Sequence, residues 1–167
     1  IPGMVAAVVD TQSTVMLGAV GVRKSGAPAK VTEGDLFHIA SCTKAMTGTL
    51  CAILVEEKKL SWDRTLIQAF PELKSKMHEQ YRSVTLQQLL TNRGGMPGDI
   101  LKDPVWGKLW AYRGPRMGSR KLLLENIVIK PPEATPGERY IYSNTGFSIA
   151  GHMAQPAVNK SGEELWR

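Results

Sequence analysis

The stretch "SCTKAMTGTLCAILVEEK", from Ser41 to about Lys58, limits the possible folds more than any other part of this chain. Its spacing predicts a helix, and Ala45, Met46, Leu50, Ile53, Leu54 and Val55 go most of the way round it. A helix that is apolar on most sides is a buried one, so other elements are expected to cover it. Lys58 and Lys59 fall in its last turn, where the negative end of the helix dipole favours cations. Ser41 and Lys44 stand at the opposite end, at the mouth of an otherwise apolar helix. A lysine placed there must be solvated, paired or employed.

The flanking sequence supplies the covering elements. Upstream, "MVAAVVD", "TQST" and "VMLGAVGVRKSG" read as two strands joined by a polar turn, with Gly18 and Gly21 weakening the second strand. "LFHIA" is a short extended piece leading into the helix. Downstream, "LSWDRTLIQAFPEL" is a mixed turn and short-helix region. In "SVTLQQLLTN", Thr85 is followed three residues later by Gln88, the pattern of a capping box, and "RGGMPGD" stops that helix. "SRKLLLENIVI" predicts a further helix, "KPPEATPGERY" a proline-rich loop, and "TGFSIAGHMA" a last helix limited by Pro156. No internal repeat is evident. The length of 167 residues suits one domain with a real core and is short for two.

Several function classes fall away on composition. With 43% apolar and 22% charged residues the chain is globular, and no apolar run approaches the roughly 20 residues that span a bilayer. The net charge of +6 is densest around Arg113, Arg116, Arg120 and Lys121. No RNP-like aromatic pattern or zinc-finger spacing accompanies them, so they read as a solvated basic face and no nucleic-acid partner is expected. Cys42 and Cys51 lie roughly 13 Å apart along one helix and cannot bond to each other within it. His38, His78 and His152 show no metal-ligand spacing and are read as structural or surface residues. The chain opens "IPGMVAAVVD" with neither an initiator Met nor a signal-peptide pattern. A natural N-terminus further upstream is expected, and the compartment stays open.

Chemistry concentrates at two places. Residues i and i+3 share a helix face, so Ser41 Oγ and Lys44 Nζ can converge. A serine attacking a carbonyl needs a base for its proton and donors for the oxyanion, and a helix N-terminus offers free N–H groups. On its own this S-x-x-K reads first as an N-cap serine beside a surface lysine. "YSN" then sets Tyr142 and Asn144 two residues apart, on one side of an extended segment if the chain there is extended. A phenol is a poor base at its ordinary pKa of roughly 10, but a lysine cation beside it lowers that value. Asn144 can hydrogen-bond both Lys44 and a substrate amide. Taken singly, Tyr142 is as readily a core aromatic with a satisfied hydroxyl.

Taken together, "SCTK" at the head of the helix, "YSN" after "PGERYI", and "NTGFSIAG" beyond resemble the penicillin-recognising serine hydrolases. The nearest group comprises class C β-lactamases, D-alanyl-D-alanine carboxypeptidases and β-lactamase-like esterases. The likeness covers nearly the whole chain, with "LFHIASCTKAMTGTL", "EKKLSWD" and "VTLQQLLTNRGGMPG" arriving in the family's order. It implies an α/β (α+β) fold of β-lactamase/transpeptidase type, as a partial domain over 1–167: strands in 1–40, the nucleophile helix in 41–60, and a mainly helical region in 61–167 carrying "YSN". It implies Ser41 as acylated nucleophile, Lys44 as its partner, Tyr142 as base and proton shuttle, and Asn144 as substrate-amide ligand. The substrates implied are small-molecule esters, β-lactams or D-Ala–D-Ala-type peptides, with no metal or organic cofactor.

Two departures accompany the likeness. The family's third motif, a Lys-Thr-Gly or His-x-Gly type strand facing the serine, does not appear before Arg167, nor do the closing strands of the sheet. A C-terminal portion or a second chain is therefore expected to complete the sheet, and this chain alone is expected to turn over weakly or not at all. A non-catalytic scaffold that keeps the fold is the competing expectation. In "LLTNRGG", the family more often has His and Ser near Asn92 and Gly94. Other motifs fail: "GFSIAG" is not a G-x-S-x-G elbow, "HEQYR" is not H-E-x-x-H, and "AVGVRKSG" is not a phosphate loop.

Overall fold

The computed structural model describes residues 1–157, so the last ten residues of the expected domain lie outside the described residues. The chain divides into two compact units, Ile1–Ala40 and the part from Ser41 onward.

The first unit is the expected strand pair. Strands β1 (Gly3–Val9) and β2 (Thr14–Gly21) form an antiparallel hairpin in which Gly3 faces Gly21 and Val8 faces Met16, with a register shift at Val8/Val9. Asp10 makes the turn by accepting the N–H groups of Gln12 at 2.8 Å and Ser13 at 2.7 Å. Those donors hold its carboxyl below the usual carboxylate range. Gly21 has φ +89°, and a Cβ there would sit 2.2 Å from the Pro2 carbonyl, so only glycine fits. Beyond the hairpin, the Arg23 guanidinium grips Asp35 through two hydrogen bonds of 2.7 and 2.9 Å and lowers its pKa to about 2. Val31 is the buried apolar side chain of this unit, whereas Met4, Val8, Met16 and Val20 of the strands are exposed.

The second unit is helical among its described residues. Its helices are α1 (Cys42–Glu56), α2 (Leu66–Ala69), α3 (Glu79–Arg82), α4 (Leu86–Leu90), α5 (Pro104–Ala111), α6 (Arg116–Ile127) and α7 (Asn144–Ala154). α7 is the hub, packing against α1, α4 and α6, and α5 lies on α6. It can be enclosed in this way because Gly146, Ala150 and Ala154 are small and buried, so neighbouring backbones come close. Leu54, Leu66, Leu86, Leu89, Leu124 and Ile149 fill the core around it.

The expectation of a nucleophile helix buried most of the way round is corrected. α1 buries the stripe Thr47–Cys51–Leu54, spaced four and three residues apart, while Met46 is 42% and Ile53 46% exposed. Its helical neighbour α7 covers one face, and one neighbour covers one stripe. The helix also ends at Glu56, two residues short of the expected Lys58. Lys58 takes the left-handed conformation, φ +57°, that closes a helix, and its N–H donates to the Val55 carbonyl.

The capping box at Thr85 and Gln88 forms as expected, and a second one joins Thr65 to Gln68 at the start of α2. α5 is a helix that the sequence reading passed over. Its signals are an N-cap Asp103 accepting the Val105 N–H at 2.9 Å and Pro104 in the first turn. In the basic stretch, Arg113 donates to the Trp110 and Tyr112 carbonyls and Lys121 pairs with Glu125 at 3.7 Å.

Candidate active site

Ser41 is the N-cap residue of α1, yet its side chain makes no capping hydrogen bond. An N-cap serine normally turns its oxygen onto the N–H of the second or third helical residue. Here Oγ is turned elsewhere: the Tyr142 hydroxyl donates to it at 2.7 Å and Lys44 Nζ donates to it at 3.1 Å. Lys44 Nζ also donates to Asn144 Oδ1 at 2.5 Å and lies 4.6 Å from the centre of the Tyr142 ring. The structure therefore brings all four sequence-predicted residues, Ser41, Lys44, Tyr142 and Asn144, into one hydrogen-bonded cluster. Neither bland alternative, a capping serine with a solvated lysine or a core tyrosine, describes it. Tyr142 is 45% exposed, so the cluster opens to solvent.

The electrostatics follow from the geometry. The Lys44 cation beside the phenol is the largest influence on Tyr142, followed by the hydrogen bond to Ser41, and together they hold its pKa below the ordinary value near 10. Ala40, immediately before the serine, has φ +45°, a left-handed conformation that alanine seldom adopts.

Tyr142 and Asn144 reach the cluster by a route that strand alternation does not describe. Asn144 is the first residue of α7, and Ser143 between them is its N-cap, with extended φ −137° and ψ 116°. Ser143 Oγ accepts the Gly146 N–H at 3.1 Å and donates to the Pro97 carbonyl at 2.7 Å, and the residue is only 2% exposed. The chain thus turns at Ser143, leaving Tyr142 on the approach to the helix and Asn144 in its first turn. Sequence reasoning passed over Ser143, although a serine directly before an apolar helix is a recognisable cap signal. Asn144 Nδ2 takes no protein partner among the described residues.

Both cysteines are free. Cys51 is fully buried, which pushes its thiol up to about 11 and makes it a poor nucleophile. Among the described residues no group of three or more His, Cys, Asp or Glu side chains is arranged to hold a metal, and no helix is long and apolar enough to cross a membrane.

Comparison with known proteins identifies the family and the fold. The Beta-lactamase family model matches residues 1–165. The chain belongs to the Beta-lactamase family. It is 29% identical over 170 residues to the unguisins hydrolase ungD of Aspergillus violaceofuscus, covering 99% of this chain and 28% of that protein. The D-alanine carboxypeptidase AmpC from Burkholderia cenocepacia superposes with a TM-score of 0.73 at 25% identity, over 99% of this chain and 41% of that one. A class C β-lactamase superposes with a TM-score of 0.77 over the whole of this chain and 42% of its own, and at 22% identity it shares the fold. The α/β β-lactamase/transpeptidase fold is thereby established, and the family and its neighbours are hydrolases of the β-lactamase and penicillin-binding type. The chain spans less than a third of that curated relative.

Proposed function

We propose that this chain carries the acylation machinery of a serine hydrolase: Ser41 is the nucleophile, Tyr142 assisted by Lys44 is the base and proton shuttle, and Asn144 holds the substrate amide. The observation that carries this reading is the convergence of the Tyr142 hydroxyl and Lys44 Nζ on a single Ser41 oxygen, the former from 101 residues along the chain. A structural serine has no need of two such partners in place of its cap.

Acylation begins with the Tyr142 phenolate taking the Ser41 proton as Oγ bonds to the substrate carbonyl carbon. The carbonyl oxygen becomes an oxyanion, which the Ser41 main-chain N–H can meet. When it collapses, the bond to the leaving alcohol or amine breaks and Tyr142 gives that group the proton. Water then attacks the Ser41 ester, losing its proton to Tyr142, and Ser41 Oγ leaves with that proton. Lys44 favours the phenolate throughout, and Asn144, oriented by its bond to Lys44, offers Nδ2 to a substrate carbonyl. The substrate class is an ester, a β-lactam or a D-Ala–D-Ala-type amide. A second oxyanion donor would come from the family's third motif, in a further portion of the protein or a second chain. The same portion would complete the sheet begun by β1 and β2, since two strands alone are at best marginally stable.

Intact-protein mass before and after incubation with a nitrophenyl ester and with a cephalosporin tests this proposal. One acyl group should add to the chain and should fail to add to Ser41→Ala. An adduct that persists in Ser41→Ala overturns Ser41 as the nucleophile, and no adduct with either reagent from the protein with its third motif present overturns the catalytic reading in favour of a non-catalytic scaffold.

A further inference from the structure

Tyr142 is held in register by a residue that belongs to neither motif. Asn92 follows α4 and has φ +57°, in the left-handed region. Its main-chain carbonyl accepts the Ile141 N–H at 2.8 Å, and its side-chain Oδ1 accepts the Ser143 N–H at 3.0 Å. Its Nδ2 donates to the Tyr140 hydroxyl at 3.3 Å. One residue therefore takes the N–H groups on both sides of Tyr142. The left-handed backbone at Asn92 is what allows main-chain and side-chain carbonyls to face the same segment, and asparagine is among the few side chains that accept it.

The pairing continues on one side. The Gly137 N–H donates to the Arg93 carbonyl at 2.7 Å, and the Arg93 guanidinium returns a bond to the Gly137 carbonyl at 3.2 Å. The base of this support is rigid, because α4 opens with a capping box and its Leu86 and Leu89 are buried. Ser143 is also buried, so water cannot easily replace Asn92 as acceptor for its N–H.

We propose that Asn92 is a positioning residue for the active site, clamping Ile141 and Ser143 so that the Tyr142 phenol stays on Ser41 Oγ and beside Lys44. This rests on the catalytic reading above for its purpose, but the clamp itself can be tested separately. Asn92 acts through the 141–143 segment. Asn92→Gly keeps the left-handed turn and the main-chain carbonyl and removes only the amide. Asn92→Asp keeps an oxygen acceptor in the same place.

The test is a titration of the Tyr142 phenol by NMR, with tyrosine carrying ¹³C at Cζ in the whole protein and the Tyr142 signal identified by its loss in Tyr142→Phe. The charged group beside this phenol is Lys44 of α1, and its hydrogen-bond partner Ser41 is uncharged. In the unaltered protein the midpoint should lie below the ordinary value near 10. In Asn92→Gly it should move up towards that value, and in Asn92→Asp it should return only in part, because the restored acceptor now carries a negative charge that opposes the phenolate. The alkaline-rising limb of Ser41 acylation by nitrophenyl acetate should shift with it. A purely structural role would lower the amount of folded protein without moving either midpoint. If Asn92→Gly does not fold, Asn92→Ser, whose hydroxyl stops short of Ser143, is read in the same way. A folded Asn92→Gly with both midpoints unmoved overturns the proposal. Shifted NMR midpoints without any Ser41 adduct, in the protein with its third motif present, would leave the clamp standing and remove the catalytic reading alone.

Discussion

Replacing Ser143 with alanine removes one side-chain oxygen that serves two masters. Oγ accepts the Gly146 N–H at 3.1 Å, capping α7, and donates to the Pro97 carbonyl at 2.7 Å from a residue only 2% exposed. Loss of a serine N-cap costs about 1 kcal/mol. Leaving the carbonyl of the half-buried Pro97 without its donor costs about 1–2 kcal/mol, the lower part of the range for a buried group. The two effects share one atom and are not fully additive, so the expected loss is about 2 kcal/mol. For a domain of this size that lowers Tm by about 4–8 °C. Urea melts should show a lower midpoint at unchanged slope, since the surface exposed on unfolding is the same. Ser143→Gly separates the two contributions, because glycine at an N-cap is only a few tenths of a kcal/mol worse than serine whereas the Pro97 carbonyl remains unpaired. Ser143→Ala should also slow Ser41 acylation by more than the unfolded fraction explains, since Tyr142 and Asn144 flank it. A loss below about 0.5 kcal/mol, or full recovery in Ser143→Gly, would refute the double role and show that the Pro97 bond contributes nothing.

Tyr142→Phe keeps the ring and deletes the proposed base, so the rate of adduct formation measured by mass should fall by roughly 10²–10⁴ while the fold is retained. Lys44→Ala removes the largest influence lowering the Tyr142 pKa, so the phenolate forms at higher pH and the rising limb of the acylation rate should move upward; an unmoved limb would separate Lys44 from the base. His152 stacks on Phe70 with centroids 5.1 Å apart, and burial is the main influence holding its pKa below 6.5, with Arg120 and Lys121 adding to it and Gln155 and Glu72 opposing. The unfolded chain therefore binds the proton more readily than the folded one, so stability should be fully present above pH 6.5 and should drain away as pH falls through 6.5 towards the folded value. His152→Phe should flatten that part of the stability profile. Gly95→Ala sets a Cβ 2.4 Å from the Ala134 carbonyl at φ +66°, and thermal denaturation should show a loss above about 1 kcal/mol.

Much of the local structure was readable because it is written in neighbouring residues. Thr85 and Gln88 cap α4 by bonds that span three positions, and enrichment in Val and Met on both sides of a polar turn marks the β1–β2 hairpin. Ser41 and Lys44 face each other because a helix puts every third or fourth residue on one side, and the sequence alone determines that much. It also contained the signals of α5 and of the Ser143 cap, although neither was read from it.

The rest depends on residues far apart in the chain. Nothing local tells how much of α1 is covered, because burial depends on which partners arrive, and α7 leaves Met46 and Ile53 exposed. Nothing local turns Ser41 Oγ away from its cap; that needs Tyr142 from 101 residues downstream. Asn92 is the clearest case, since its part in holding Tyr142 rests on a left-handed backbone and on hydrogen bonds to a loop some 50 residues away. The sequence decided which residues could do acyl-transfer chemistry. Only the tertiary structure decided that they meet, because the bonds that join them close across the chain.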